Sequence, residues 1–195
     1  EAARELVELA RTFNSGSAQV EFASYATKIT GGNRLQFAEL EQMELFERTD
    51  QAVTLWGQLP LPDVVVEARA PVNYTYYLDL EKEWQMTLEG NEVTVYAPPI
   101  EFNTPAIDAS RITYSVRADS LLRDEDDALV KMKEGLTSMS KMRAAEHVVL
   151  IREVGRLKTE EFVEGWLMEH LERPANDLRL RVVFPDERTA QPAAP

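Results

Sequence analysis

The chain of 195 residues contains no cysteine and only two histidines. The absence of cysteine excludes disulfide bonds, thiolate nucleophiles and cysteine metal sites. His147 and His170 do not have the H-E-x-x-H spacing of a helical zinc site. We therefore interpret both as histidines on the surface or boundary of a helix, and we predict no metal ion and no other cofactor.

Several motifs of enzymes and membrane proteins are also absent. The sequence has no G-x-S-x-G elbow and no Gly-rich phosphate loop, which disfavours serine hydrolases and nucleotide chemistry. No stretch approaches the roughly 18 consecutive apolar residues of a membrane span. The acidic run from Asp124 to Asp127 lacks the alternating ligands and central glycine of a calcium loop. It is typical of the start of a helix, where carboxylates are favoured.

Basic residues are few in comparison with acidic ones. Lysine and arginine number 21 against 34 aspartates and glutamates, so the formal net charge is −13. This charge would repel polyanions, which argues against a nucleic-acid binder. Residues 51–120 hold 10 acidic and 4 basic residues, and residues 121–195 hold 15 and 12. The middle of the chain is therefore the acidic part.

The apolar residues, 44% of the chain, are sufficient for one sizeable core. Residues 1–14 are predicted to be a helix, which we interpret as the end of a linker from a missing membrane anchor. "AQVEFASYATKI" and "NRLQFAELEQMELFE" are predicted to be strands joined by a hairpin at Gly31 and Gly32. In the second strand Leu35 and Phe37 share one face, but Leu40 interrupts this two-residue alternation before Met43 and Leu45. The interruption predicts a bulge at about Ala38–Glu39.

The middle of the chain has the two-residue period of strands. Strands are predicted at residues 64–66, 74–80, 84–88, 93–97 and 112–116. Between the third and fourth of these runs, Gly90 and Asn91 predict a two-residue hairpin turn. Tyr76 and Tyr77 should point to opposite faces of their strand.

From Ser120 to Leu171 the sequence has no proline and is rich in helix-forming residues. An apolar stripe at helical spacing is formed by Leu129, Met132, Leu136 and Met139, and we predict that it is buried. We also predict a break near Gly155 and a second helix capped at Thr159. "LRLRVVF" predicts a strand over residues 178–184, and residues 185–195 a disordered tail.

Strands followed by helices indicate an α+β protein. We predict a mostly antiparallel multi-stranded sheet, followed by a long helical segment and a returning C-terminal strand, in one domain over residues 15–184. The proline-rich loop after residue 97 is either a corner of the sheet, in which Asp108 bonds to the backbone of its own turn, or a polar rim. The candidate binding residues are Glu101, Asn103, Asp108 and Arg111 in this loop and Tyr77 on the neighbouring strand.

Three stretches carry a resemblance to a known family: "APVNYTYYLDLEKEWQMTLEGNEVTVYAPPIEFNTPAID", "RITYSVRADSLLRDED" and the long helix ending in "LRLRVVF". Together, over about residues 65–184, they resemble an uncharacterised bacterial family whose members often carry a single N-terminal membrane anchor. The resemblance implies a periplasmic or cell-surface α+β module, attached to the membrane only through a missing N-terminal segment.

These observations favour a non-enzymatic module that binds a protein partner. One alternative is a hydrolase that uses two carboxylates of the acidic region. Another is a scaffold that forms homo-oligomers through its long helices. A pocket with two carboxylates of shifted pKa would favour the hydrolase, whereas an uncovered apolar stripe on the helix would favour the scaffold.

Overall fold

The computed structural model describes Arg11 and residues 17–51, 63–118, 125–170 and 178–188. The elements in chain order are α1 (Ser17–Thr30), β1 (Arg34–Asp50), β2 (Val64–Asp79), β3 (Gln85–Glu89), β4 (Glu92–Tyr96), β5 (Glu101–Phe102), β6 (Ala106–Ile107), a 3-10 turn (Ala109–Arg111), β7 (Thr113–Ala118), α2 (Glu125–His170), β8 (Arg179–Val183) and α3 (Pro185–Arg188). This order confirms the predicted α+β class, with a long helix followed by a returning strand.

The strands form two sheets. In the five-stranded sheet, β2 pairs with β1, β5, β6 and β7, and its pairing with β6 and β7 is antiparallel. In the three-stranded sheet, β4 lies between β3 and β8. The β3–β4 pair is antiparallel with Glu89 opposite Glu92, so the predicted hairpin at Gly90 and Asn91 is confirmed. Gly90 has a φ of +64°, the conformation that glycine adopts at low cost at the first corner of such a turn.

The chain forms two compact units. Unit 1 comprises Glu1–Ala38, Tyr76–Glu101 and Val148–Pro195, and unit 2 comprises Glu39–Thr75 and Phe102–His147. The core of unit 1 is aromatic, with the Phe22 ring 5.1 Å from Trp84 and 5.6 Å from Trp166 between centroids. In unit 2, Met132 and Leu136 of α2 are buried as predicted, and Leu129 and Met139 are half-buried.

The first predicted strand, residues 18–29, is wrong, because these residues form helix α1. Phe22 and Ala26 are fully buried one helical turn apart, and this contact with the core overrides the alternation of apolar residues that suggested a strand. Gly31 has a φ of +68° just beyond the helix. The predicted Gly31–Gly32 hairpin is therefore also wrong, since the glycine ends a helix.

The phase of burial along β1 shifts after Phe37. Leu35 and Phe37 face inward at the start of the strand, whereas Glu44 and Phe46 are buried further along. Met43 is 68% exposed. A shift of one residue reverses the two faces of a strand and is what a bulge produces.

The break predicted near Gly155 and the cap predicted at Thr159 are wrong, because α2 is continuous from Glu125 to His170. A Cβ added at Gly155 would lie 3.0 Å from the Phe37 ring, so the glycine serves close packing within unit 1. The Thr159 hydroxyl donates to the Gly155 carbonyl oxygen at 2.7 Å. It bonds within the helix instead of starting a new one.

The disordered tail predicted from Pro185 is wrong for its first four residues, which form α3. Arg152 of α2 forms an ion pair with Asp186. Arg156 contacts Glu187 at 2.5 Å, and Glu187 accepts a hydrogen bond from the Phe184 backbone N–H at 2.9 Å. The helix predicted over residues 1–14 and the tail beyond residue 188 lie outside the described residues, Arg11 excepted.

Candidate functional site

The proline-rich loop is held against β2 by its backbone. The N–H groups of Asn103 and Asp108 donate to the carbonyl oxygens of Thr75 and Pro71, each at 3.0 Å. Between these bonds, Ala106 pairs with Asn73 in the sheet. The loop is therefore a fixed corner of the sheet, and its side chains lie on a rigid base.

Asp108 organises the end of this corner. One carboxylate oxygen, Oδ1, accepts from the Ser110 backbone N–H at 3.0 Å and from the Ser110 hydroxyl at 2.6 Å. The other, Oδ2, accepts from Nε of Arg111 at 2.6 Å. The hydrogen bonds from Ser110 and then Arg111 lower the pKa of Asp108 to about 2. The predicted turn is confirmed, and Asp108 is an anion at neutral pH.

Beside this turn lies a cavity of about 310 Å³ in unit 2, which we call the corner cavity. It is lined by Glu41, Pro71, Asn73, Ala106, Ile107, Asp108 and Arg111. An Nη2 hydrogen of Arg111 also reaches Glu41, at 3.4 Å between heavy atoms. Glu39 lies next to the cavity, where its Oε1 accepts from the Asn73 amide nitrogen at 2.6 Å. The cavity thus contains two of the predicted site residues, Asp108 and Arg111.

Two other predicted residues, Tyr77 and Glu101, meet in unit 1. The Tyr77 hydroxyl donates to Glu101 at 3.1 Å, and Lys82 forms an ion pair with the same carboxylate. Arg34 lies 4.5 Å from the centre of the Tyr77 ring. Burial and the Glu101 carboxylate raise the pKa of Tyr77, while the hydrogen bond from Lys82 lowers the pKa of Glu101. Each group is therefore stabilised in its ordinary neutral-pH form.

A second cluster, in unit 2, surrounds a buried carboxylate that the sequence analysis missed. Glu44 is 8% exposed and accepts from the Tyr74 hydroxyl at 3.0 Å. Nε2 of His147 and Nε of Arg143 each lie 3.8 Å from a Glu44 oxygen. The rings of Tyr74 and His147 pack edge to face at 5.0 Å. The available signal in the sequence was that Glu44 shares a strand face with the apolar Phe46. The two apolar residues Met43 and Leu45 lie on the opposite face, and they indicated that this opposite face was the buried one.

An uncovered apolar surface lies on the part of α2 that belongs to unit 1. We call it the helix face, and it consists of Val149, Leu150, Val154 and Leu157, which are 67%, 69%, 43% and 58% exposed. Two charged residues, Glu153 and Lys158, flank it. Each forms an ion pair within the helix, Glu153 with Arg156 at 3.2 Å and Lys158 with Glu161 at 2.7 Å.

None of the helices in the described residues is both long enough and apolar enough to cross a membrane. Within the same ranges, no three histidine, aspartate or glutamate side chains come together in a way that could hold a metal ion.

Comparison with known proteins identifies no relative of this chain. No family model matches the chain, and neither the curated proteins nor the solved structures include one with significant similarity to it.

Proposed function

We propose that this protein is a non-enzymatic interaction module that associates with a second copy of itself through the helix face. The observation that carries the proposal is the exposure of four large apolar side chains within about two turns of one helix. Apolar groups on a protein surface are ordinarily scattered, and contiguous exposed ones mark interaction sites. Burying them against a partner removes this apolar area from water.

The order of residues on the helix face supports a second copy as the partner. With Val154 at position a of a heptad, Leu150 and Leu157 take position d, Glu153 takes g and Lys158 takes e. A β-branched residue at position a with leucine at position d favours a parallel coiled coil of two helices. In such a pair, g of one helix faces e of the other, so Glu153 of one copy would meet Lys158 of the other.

The ion pairs that these residues make within one copy do not oppose this arrangement. Glu153 pairs with Arg156 and Lys158 pairs with Glu161, both at i,i+3 spacing, and the side chains of Glu153 and Lys158 are 73% and 51% exposed. Exposed pairs of this kind contribute about 0–1 kcal/mol, so exchanging them for contacts between copies costs little. Because the apolar seam is short, we expect a weak dimer, with a Kd on the order of 10 µM to 1 mM.

The corner cavity supports binding in preference to hydrolysis. A carboxylate pair for hydrolysis needs one carboxyl whose pKa is raised, so that it can donate a proton near neutral pH. The pKa of Asp108 moves in the opposite direction, to about 2. The resemblance in the sequence supports the further proposal that the module lies outside the cytoplasm and is tethered to a membrane.

The proposed association is tested by analytical ultracentrifugation over a protein concentration range of micromolar to millimolar. We expect a monomer–dimer equilibrium that Leu157→Glu abolishes, since the change places a charge in the apolar seam. The control is Val130→Glu, at an exposed apolar position of α2 outside the helix face, which should leave the equilibrium unchanged. A monomer at every concentration, or a dimer that persists in Leu157→Glu, would show that the proposal is wrong.

A charge exchange tests the parallel arrangement itself. Glu153→Lys and Lys158→Glu should each weaken the dimer, because each places like charges at the g and e positions. The double variant restores opposite charges and should recover the dimer. If the double variant is weaker than both single variants, the two copies are not arranged in parallel through this seam.

A further inference from the structure

We propose that the free edge of β1 binds an extended segment of a partner protein, with basic residues at its first and seventh positions and apolar residues at its third and fifth. The residues concerned, 41–47, belong to unit 2, whereas the helix face belongs to unit 1. The edge is therefore a second interaction surface, and neither proposal depends on the other.

The backbone of β1 is the first argument. The strand runs from Arg34 to Asp50 over 17 residues, and within the described part of the chain β2 is the only strand that pairs with it. A strand with a neighbour on one side directs backbone N–H and C=O groups to its other side, where an added strand can bond to them. From residue 39 to residue 47, exposed residues alternate regularly with more buried ones. This regular part is long enough for a seven-residue partner.

The exposed side chains of this edge determine the chemistry of the partner. Met43 and Leu45 are 68% and 44% exposed, and they lie between Glu41 and Glu47, which are exposed on the same face. Side chains directly opposite each other on neighbouring strands are in contact, and they stabilise the pair when their charges are opposite or when both are apolar. Apolar residues therefore fit opposite Met43 and Leu45, and lysine or arginine fits opposite each glutamate. Because the pattern is symmetrical, it suits either strand direction.

A second copy of this chain does not fit the same edge. In the antiparallel register that places Met43 opposite Leu45, Glu41 lies opposite Glu47 at both ends of the contact. Like charges directly opposite each other destabilise a sheet, and charged side chains are a common protection of edge strands against self-pairing. The same charges attract a basic segment. They therefore favour a partner of different sequence.

Glu41 has a contact within unit 2 that does not oppose this pairing. Nη2 of Arg111 lies 3.4 Å from Oε1 of Glu41, and the two side chains are 59% and 62% exposed. An ion pair at this exposure contributes little to stability. A carboxylate also has several acceptor positions, so Glu41 can accept from a partner lysine without losing Arg111.

The test is an NMR titration of the full chain with the blocked heptapeptide Lys-Thr-Val-Thr-Val-Thr-Lys at physiological salt, about 150 mM. The matched probe, Glu-Thr-Val-Thr-Val-Thr-Glu, has the same strand-forming core and the opposite charge. We expect the amide signals of residues 41–47 to shift with the lysine peptide and not with the glutamate peptide. Equal shifts with both peptides, or no shift at these residues with the lysine peptide at about 5 mM, would overturn the proposal.

Methylation of the peptide backbone distinguishes strand pairing from attraction between side chains. Successive N–H groups of a strand point to opposite sides. N-methyl groups on the two valines of the lysine peptide therefore point to one side, and N-methyl groups on its first two threonines point to the other. We expect one of these methylated peptides to lose binding and the other to keep it. Binding that is kept by both, or lost by both, would overturn the proposal.

A charge reversal on the protein separates the edge from general attraction to an acidic chain. Glu41→Lys combined with Glu47→Lys should weaken the lysine peptide by about tenfold or more, and should make the glutamate peptide bind. The control combines Glu81→Lys with Glu89→Lys, which change the net charge equally at exposed positions of unit 1. It should bind the lysine peptide as the unmodified protein does. Equal weakening in both double variants, or an unchanged preference in the first, would overturn the proposal.

Discussion

At the scale of single residues, Asp108 shows how one side chain fixes a loop. It accepts three hydrogen bonds, two from Ser110 and one from Arg111, and its pKa falls to about 2 as a result. The carboxylate is favoured in the folded state, so its contribution to stability is present above the ordinary aspartate pKa of 3.8. That contribution is lost as the pH falls through the folded value.

The first prediction follows from the lowered pKa of Asp108. Asp108→Asn should lower the Tm at pH 7, and the difference from the unmodified protein should shrink as the pH falls from about 5 towards 2. Glu89→Gln, at an exposed carboxyl of the β3–β4 hairpin, serves as the control and should show no such trend. Carbon NMR of the Asp108 carboxyl measures its pKa directly. A titration near the ordinary aspartate value would contradict the prediction.

Asp108 and Glu44 differ in how far the sequence predicted their surroundings. The turn at Asp108 is local, because Asp108 bonds to residues two and three positions along the chain. Burial of Glu44 instead depends on Tyr74 and His147, which come from distant parts of the sequence. Its immediate neighbours Met43 and Leu45 are apolar but exposed. No local pattern could therefore identify the cluster or the corner cavity.

At the scale of elements, α2 is instructive because two of its three glycines, Gly155 and Gly135, have different surroundings. A Cβ at Gly155 would lie 3.0 Å from two atoms of the Phe37 ring, closer than ordinary contact. A Cβ at Gly135 would meet Arg48 and Met139 at 3.5 Å, which is ordinary contact. The same residue type thus occupies one crowded and one open position in one helix.

The second prediction uses this pair of positions. Gly135→Ala should stabilise the protein by up to about 1 kcal/mol, because alanine favours a helix over glycine by that amount. Gly155→Ala should instead destabilise it by about 1 kcal/mol, because crowding costs about 1–3 kcal/mol and exceeds the helical gain. Urea unfolding of both variants measures the difference. Equal stabilisation at both positions would show that Phe37 moves aside without cost.

The elements that the sequence predicted correctly are those determined by neighbours in the chain. The β3–β4 hairpin follows from two alternating runs around Gly90 and Asn91. The predictions for residues 18–29 and for Gly155 failed for a different reason. Phe22 and Gly155 are placed by aromatic side chains from other elements, and these contacts override local propensity.

At the scale of the whole molecule, the formal net charge of −13 acts against the compact state. Charges of one sign repel each other more in the folded chain than in the extended one, and salt screens this repulsion. Exposed ion pairs are weakened at the same time, but each contributes only about 0–1 kcal/mol. Screening of the net charge should therefore dominate.

The third prediction is that the Tm rises with moderate salt. Between 10 and 150 mM sodium chloride we expect an increase of about 2–4 °C, which corresponds to about 1 kcal/mol for a chain of this length. Calorimetry at pH 7 measures it. Repeating the scan near pH 4.7, the isoelectric point of the sequence, removes the net charge and should remove the increase. A Tm that falls with salt at pH 7 would contradict the prediction.

The parallel pairing of β4 with β8 has a consequence for how the chain folds as it leaves the ribosome. β8 is the last strand along the described chain, yet it forms an edge of the sheet whose centre is β4. The described residues of unit 1 also come from both the N-terminal and the C-terminal part of the chain, whereas those of unit 2 have all been synthesised once His147 is in place. Translation adds about 5–20 residues per second, so the synthesis of unit 2 is complete some seconds before β8 exists.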